Sequence, residues 1–214
     1  MFARSLLFAA LLACPAQAAD VPVTFQIPEG WVDLSPGAPE TNFAGFPPPL
    51  VKEAKSGKYA AMAFDVAHAT PEFATNVNAI VMDGPASLDQ ESLAAFVKDF
   101  SDGSQGKGLK ATVTESALRE VGGVTWAVVV RQSISGRLKV RQMTWLIPAG
   151  KRHAVITYSA ADDRFEEYRP VFEKAALATT GSAPAPRMNW SSIALWSLAG
   201  AVVAVLIGLA RRGK

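Results

Sequence analysis

One cysteine in 214 residues, Cys14, excludes an intrachain disulfide, so the fold has to hold by packing. The two histidines, His68 and His153, lie in separate expected strands, and no His-Glu-x-x-His stretch accompanies them. Each is expected to be structural or superficial rather than a base or a ligand. A glycine-rich phosphate loop and a Gly-x-Ser-x-Gly elbow are also missing. Asp102-Gly103-Ser104-Gln105-Gly106 approximates the elbow but lacks its first glycine. No catalytic, metal-binding or cofactor-binding residue is therefore expected. Basic excess is absent from the body of the chain: Asp20 to Gly181 holds 16 Lys and Arg against 19 Asp and Glu, a net −3. Nucleic acid is not an expected partner.

What the chain does have is one long apolar run. Trp190 to Ala210 carries no charge, and Arg211-Arg212-Gly213-Lys214 follows at once. At ~1.5 Å per residue the run is roughly 31 Å long as a helix, enough to cross a bilayer core. Residues 190–210 are accordingly expected to be a single transmembrane helix and 211–214 a cytoplasmic tail, so the rest projects to the other side. Gly200, Ala204 and Gly208 fall on one face of that helix and could pair two copies into a homodimer. At the other end, Arg4, the apolar Leu6–Ala13 and Ala16-Gln17-Ala18 have the layout of a secretory signal peptide, 1–18. The alternative there is a lipoprotein: Leu11-Leu12-Ala13-Cys14 is similar to the box that precedes an acylated cysteine. Leu177-Ala178-Thr179-Thr180-Gly181, ahead of a span and a basic tail, also looks like a surface-sorting signal.

Between these segments lies an exported domain, 19–180, with 181–189 as linker. Val21, Val23, Phe25 and Ile27 alternate with polar or turn residues and predict a strand that enters Pro28-Glu29-Gly30-Trp31. Ser35 to Leu50 holds five prolines and reads as an irregular loop, with Pro47-Pro48-Pro49 as a rigid stretch. Strands are expected at 59–67 and 76–82. Ser87 and Gln90 form a capping box for a helix whose Leu93, Phe96, Val97 and Phe100 make one apolar stripe, stopped by Gly103. Gly122-Gly123, Ser135-Gly136 and Pro148–Lys151 separate four β-rich runs, 111–121, 124–134, 137–147 and 152–159, which predict an antiparallel meander. With Ser135-Gly136 as the turn, Trp126 falls opposite Trp145. The next hairpin then sets Ala154 beside Trp145, Ile156 beside Met143 and Tyr158 beside Arg141. Trp126, Val128, Val130, Met143, Trp145 and Ile156 share one face, and Ala127, Val129, Leu138, Val140, Leu146 and Val155 the other. Both are apolar, so both should be covered, one by the 88–100 helix and one by a C-terminal helix. That last helix should carry Phe165, Tyr168, Phe172 and Ala175 inward, with Pro170 in its first turn.

The strand into Ile27-Pro28-Glu29-Gly30-Trp31, the Asn76-Val77-Asn78 strand, the helix after Ser87, Val121-Gly122-Gly123, the meander and Tyr168-Arg169-Pro170-Val171-Phe172 together resemble the PsbP-like superfamily. The likeness is greatest to its exported, bacterial DcrB-like members, over about 20–180. The resemblance implies an α+β fold, an α/β/α sandwich around an antiparallel sheet, and a non-enzymatic binding or assembly role. No family site residue carries over, because no such motif matches.

Charge is unevenly spread: −8 over 20–104, +7 over 105–161 and −2 over 162–181. Arg131, Arg137, Lys139 and Arg141 gather near the expected Ser135-Gly136 turn. They are either a solvated hairpin tip or an anion-contact patch for lipid headgroups, wall polymers or an acidic protein. Asp162, Asp163, Glu166 and Glu167 are close enough to hold a cation, but an acidic first helical turn accounts for them. The expected protein is a non-catalytic, single-pass, inner-membrane-anchored domain that faces the periplasm and binds or scaffolds an envelope component. The alternative is an envelope hydrolase or transferase whose residues meet only in three dimensions.

Overall fold

The computed structural model describes residues 22–102, 110–135 and 137–185. The expected signal segment with Cys14, the 190–210 run with Gly200, Ala204 and Gly208, and the 211–214 tail lie outside them. Among the described residues no helix is long and apolar enough to cross a membrane.

The elements run β1 (Val32–Asp33), a 3-10 turn (Glu40–Phe43), α1 (Pro48–Ala54), β2 (Ala61–Phe64), β3 (Asn76–Asp83), α2 (Gln90–Asp102), β4 (Lys110–Val121), β5 (Val124–Ser135), β6 (Leu138–Ala149), β7 (Arg152–Ala161), a second 3-10 turn (Asp162–Arg164) and α3 (Phe165–Leu177). The strands form one antiparallel sheet in the order β1-β2-β3-β7-β6-β5-β4. The expected meander is β4 to β7, and β7 inserts beside β3 to join it to the first three strands.

Both faces of the central strands are dry, as their composition requires. Trp126, Val128, Val130, Met143, Trp145 and Ile156 pack with Phe165, Tyr168 and Phe172 of α3. Tyr158 stacks on Phe172 with ring centroids 5.0 Å apart, and Trp31 meets Phe172 edge-on at 6.3 Å. On the other face Ala127, Val129, Leu146 and Val155 meet Leu93 and Phe96 of α2. Further along that face α1 and Leu34 cover Met62 and Phe64. The result is an α/β/α sandwich.

Register differs from expectation by two residues. Ser135 pairs with Leu138, so Val128 rather than Trp126 stands opposite Trp145. Trp126 lies diagonal to Trp145, in a T-shaped contact with centroids 6.2 Å apart. β6 and β7 close at Ala149–Arg152, which sets Ile156 beside Trp145, Tyr158 beside Met143 and Ala160 beside Arg141. A shift of two changes partners but not faces, because side chains alternate with period two. The Gly122-Gly123 turn stands as expected: both glycines have positive φ, 58° and 78°, which a two-residue hairpin with mirror-image twist demands.

Other boundaries move for local reasons. The capping box is Asp89 with Ser92, not Ser87 with Gln90: the Ser92 amide donates to Asp89 Oδ1 at 2.8 Å and the Asp89 amide to Ser92 Oγ at 2.8 Å. Pro47-Pro48-Pro49 starts α1 instead of crossing the surface, since proline is tolerated where helix N–H groups have no partner. α3 begins at Phe165, so Pro170 sits inside it and forfeits one intrahelical bond. Residues 22–27 keep their alternation, with Val23, Phe25 and Ile27 turned to the core. Their ladder, however, is the single bridge Thr24–Thr180, so no strand forms there.

That bridge clasps the two ends of the domain. Thr24 and Thr180 exchange backbone hydrogen bonds of 3.0 Å each way, and Gly181 lies so near that a Cβ there would stand 2.0 Å from the Pro22 carbonyl oxygen. Gly181 also has φ +89°. Gly181→Ala should therefore cost about 2–3 kcal/mol or more, a fall of roughly 5–10 °C in Tm by calorimetry. An unchanged Tm would show that the clasp adds no stability.

Candidate functional site

The structure does not bring the four basic residues of the expected patch onto one surface. Arg131 is 1 % exposed, on the α1/α2 face of β5. There its Nε donates to Gln142 Oε1 at 2.8 Å, and Gln142 Nε2 donates to Ser159 Oγ at 3.1 Å. Asn76 continues the row opposite Ser159, its amide bonded to the Ala74 carbonyl at 2.9 Å. Burial pulls the Arg131 guanidinium down to about 10. Arg141 lies on the α3 face, and only Arg137 and Lys139 are exposed. A strand's alternation separates 131 from 141 because they belong to opposite face sets in this register.

Arg141 is tied into a chain of ion pairs. It reaches Asp162 Oδ1 at 3.0 Å and Glu166 Oε1 at 2.6 Å and lies over the Phe165 ring. Arg169 then joins Glu166 at 2.9 Å to Glu115 of β4, with both Glu115 oxygens engaged at 2.9 and 2.5 Å. The Arg169 hydrogen bonds hold Glu115 below the usual carboxylate range. Gln132 and Arg141 do the same for Asp162. Glu167 pairs with Arg164 at 2.9 Å. The acidic first turn is thus taken up largely by arginines, and no group of acids or histidines able to hold a metal occurs among the described residues.

α3 lies over β7 and β6 and leaves a cleft of about 440 Å³ beside it. Val128, Val130 and Met143 form its apolar floor. Glu115, Ala117 and Arg119 line the β4 side, and Glu173 and Arg169, the latter paired with Glu115, line the α3 side. Thr114 Oγ1, at its end, is committed to the Val130 carbonyl at 3.2 Å. The cleft offers shape, an apolar base and charges of both signs. Its one ion pair fixes Glu115 in the ionised form, which suits binding better than proton transfer.

A second cluster escaped the sequence. Asp65, 5 % exposed, accepts a 2.6 Å hydrogen bond from the Tyr168 hydroxyl and lies 2.9 Å from Nδ1 of His68, whose side chain is 63 % exposed. Burial pushes Asp65 up, but the bonds from Tyr168 and His68 outweigh it and hold the carboxyl below its usual range. Burial and Asp65 together raise the Tyr168 hydroxyl to about 12. No periodicity signals a contact between residues 65 and 168, which only the fold brings together. His153 is the opposite case: fully buried, with Nδ1 2.7 Å from the Gly84 carbonyl. The sorting-like stretch is folded, with Thr179 buried and Thr180 in the clasp.

An antiparallel sheet covered on both faces by helices is the architecture, and its likeness to a solved PsbP structure shows that the chain adopts a PsbP-like fold. No family model matches the chain, and no curated protein sequence does. Among solved structures it is similar to cyanobacterial PsbP (CyanoP) from Synechocystis sp. PCC 6803, with TM-score 0.50 and 15 % identity over 80 % of this chain and 98 % of that one. It is also similar to LpqN, involved in cell envelope biogenesis of Mycobacterium tuberculosis, with TM-score 0.44 and 14 % identity over 75 % and 83 %. A protein of unknown function from Pseudomonas aeruginosa, PA94, gives TM-score 0.38 and 10 % identity over 53 % and 75 %. At these identities the likeness establishes fold alone.

Tyr168→Phe should cost about 1–3 kcal/mol in urea unfolding, because a buried charge-assisted bond is lost. An unchanged midpoint would show the bond to be energetically neutral. The pH dependence separates the two histidines' neighbourhoods. Burial lowers His153 from its ordinary 6.5, against the smaller opposing effect of the Gly84 carbonyl. Its contribution is therefore complete above about pH 6.5 and lost as pH falls through the lower folded value. Asp65, Glu115 and Asp162 lose theirs only below roughly pH 4. In urea unfolding from pH 8 to 4, His153→Gln should flatten the slope that sets in below about pH 6.5 and leave the acid limb unchanged.

Proposed function

We propose that this chain is a membrane-anchored extracytoplasmic domain that binds or scaffolds an envelope component and does no chemistry on it. The observation that carries the reading is the α3–β4 cleft, whose carboxylate Glu115 is locked by Arg169 beside an apolar floor. A group held ionised and bidentately paired recognises a partner by shape and charge and is a poor acid or base. The apolar run 190–210 with its basic tail supports the anchor.

A photo-crosslinking residue at Ala117, in the full chain in its membranes, should give a discrete envelope product. The same residue at exposed Lys98 should not. Identical patterns at both positions, or none at 117, would reject the cleft as the binding surface. Alkaline carbonate should leave the full chain in the membrane pellet, and its release would reject the anchor.

One observation favours the hydrolase reading: Asp65 orients the exposed ring of His68 through Nδ1, as an orienting acid does for a general base. Equal ester and amide hydrolysis by the purified full chain and by His68→Ala would dismiss it.

A further inference from the structure

Both described ends of the chain leave the sandwich at one end of the sheet. After α3, the Ala183 amide donates to the Pro148 carbonyl at 2.9 Å and the Gly150 amide to the Ala183 carbonyl at 3.2 Å, beside the β6–β7 turn. Before β1, Thr24 is bridged to Thr180, and Pro22 abuts Gly181. The Gly84 amide donates to the Lys151 carbonyl at the same end. Arg137 lies beyond the other end of β6, Leu138–Ala149, 12 residues away and thus roughly 40 Å off at ~3.3 Å per residue.

Resting on the anchor proposed above, we propose that the domain stands on the bilayer on its Gly84/Gly150 end, with that end facing lipid and the β5–β6 tip pointing away. Four residues separate Ala185 from Trp190, a reach of at most roughly 17 Å at ~3.5 Å per step. The orientation is the same for either tether, since an acylated Cys14 would pull on Pro22 at the same end. Charge does not set it: Arg152 faces Asp83 at 3.5 Å, and the exposed residues near that end include both Lys151 and Glu120. Arg137 and Lys139 are consequently held clear of headgroups, and the cleft opens on the flank.

The test uses the full chain in phosphatidylcholine vesicles whose headgroups carry a nitroxide, with a fluorophore on Lys151→Cys or on Arg137→Cys. Quenching should be several-fold stronger at 151 than at 137. Glu120→Cys and Lys139→Cys supply a second pair should either variant misfold. Equal quenching at both ends, or stronger quenching at the tip, overturns the orientation while the chain still floats with the vesicles. A chain that carbonate strips from the vesicles overturns the anchor and the orientation with it.

Discussion

The structure depends on a sheet that has no wet face. β6 is buried continuously from Gln142 to Ala149 and β7 from His153 to Ala160, so neither side of the pleat could meet water without exposing aromatic or branched side chains. Helices must then cover both sides, and the inward residues of α2 and α3 supply the matching stripes. Within this dry interior runs one polar row, Arg131–Gln142–Ser159–Asn76, one residue from each of four neighbouring strands. Arg131 finds Gln142, and Gln142 finds Ser159, only in the observed register. A slip of two residues would set Arg131 against Val140 or Thr144 and part it from Gln142, and a buried charge robbed of a partner costs several kcal/mol. The row therefore holds the register that the hydrophobic pattern alone leaves free to slide.

That division explains which features were legible in the sequence. Face membership, the two covering helices and the sandwich follow from alternation and 3.6-residue periodicity, both indifferent to a shift of two. Partner identity is not indifferent, and a turn placed at Ser135-Gly136 opposes Arg131 to Val140. The mismatch of a guanidinium with valine in an otherwise apolar pair of strands was the available signal, and Gln142 was its resolution. Arg131 also defeats grouping by nearness in sequence, because its side chain points to the opposite face from Arg141. The Asp65–Tyr168 bond lay beyond any local pattern, since it joins the loop after β2 to a helix 103 residues later.

On the α3 face a group of ionisable side chains is spent on one another. Glu115, Arg169, Glu166, Arg141 and Asp162 form an alternating chain that joins β4, α3 and β6 across the α3 face. Such partly exposed pairs add little stability individually, but a network with bidentate geometry fixes where α3 sits on the sheet. By fixing α3 over β7 and β6, it also sets the width of the cleft beside β4. The charges that seat α3 on the sheet thus shape the surface left open beside it.

The clasp between Thr24 and Thr180 links this architecture to tethering. A domain held by one chain end transmits any pull through whatever that end is bonded to. Here the C-terminal exit is bonded both to the β6–β7 turn, through Pro148 and Gly150, and to the N-terminal arm, through Thr24. Pull is therefore shared between a central hairpin and a strap across the α3 side, where Val23, Phe25 and Ile27 join the core. Gly181 is the hinge of this arrangement because only a residue without a Cβ can pass so close to Pro22 at positive φ. The surfaces farthest from the clasp, including the hairpin tip, carry none of that load.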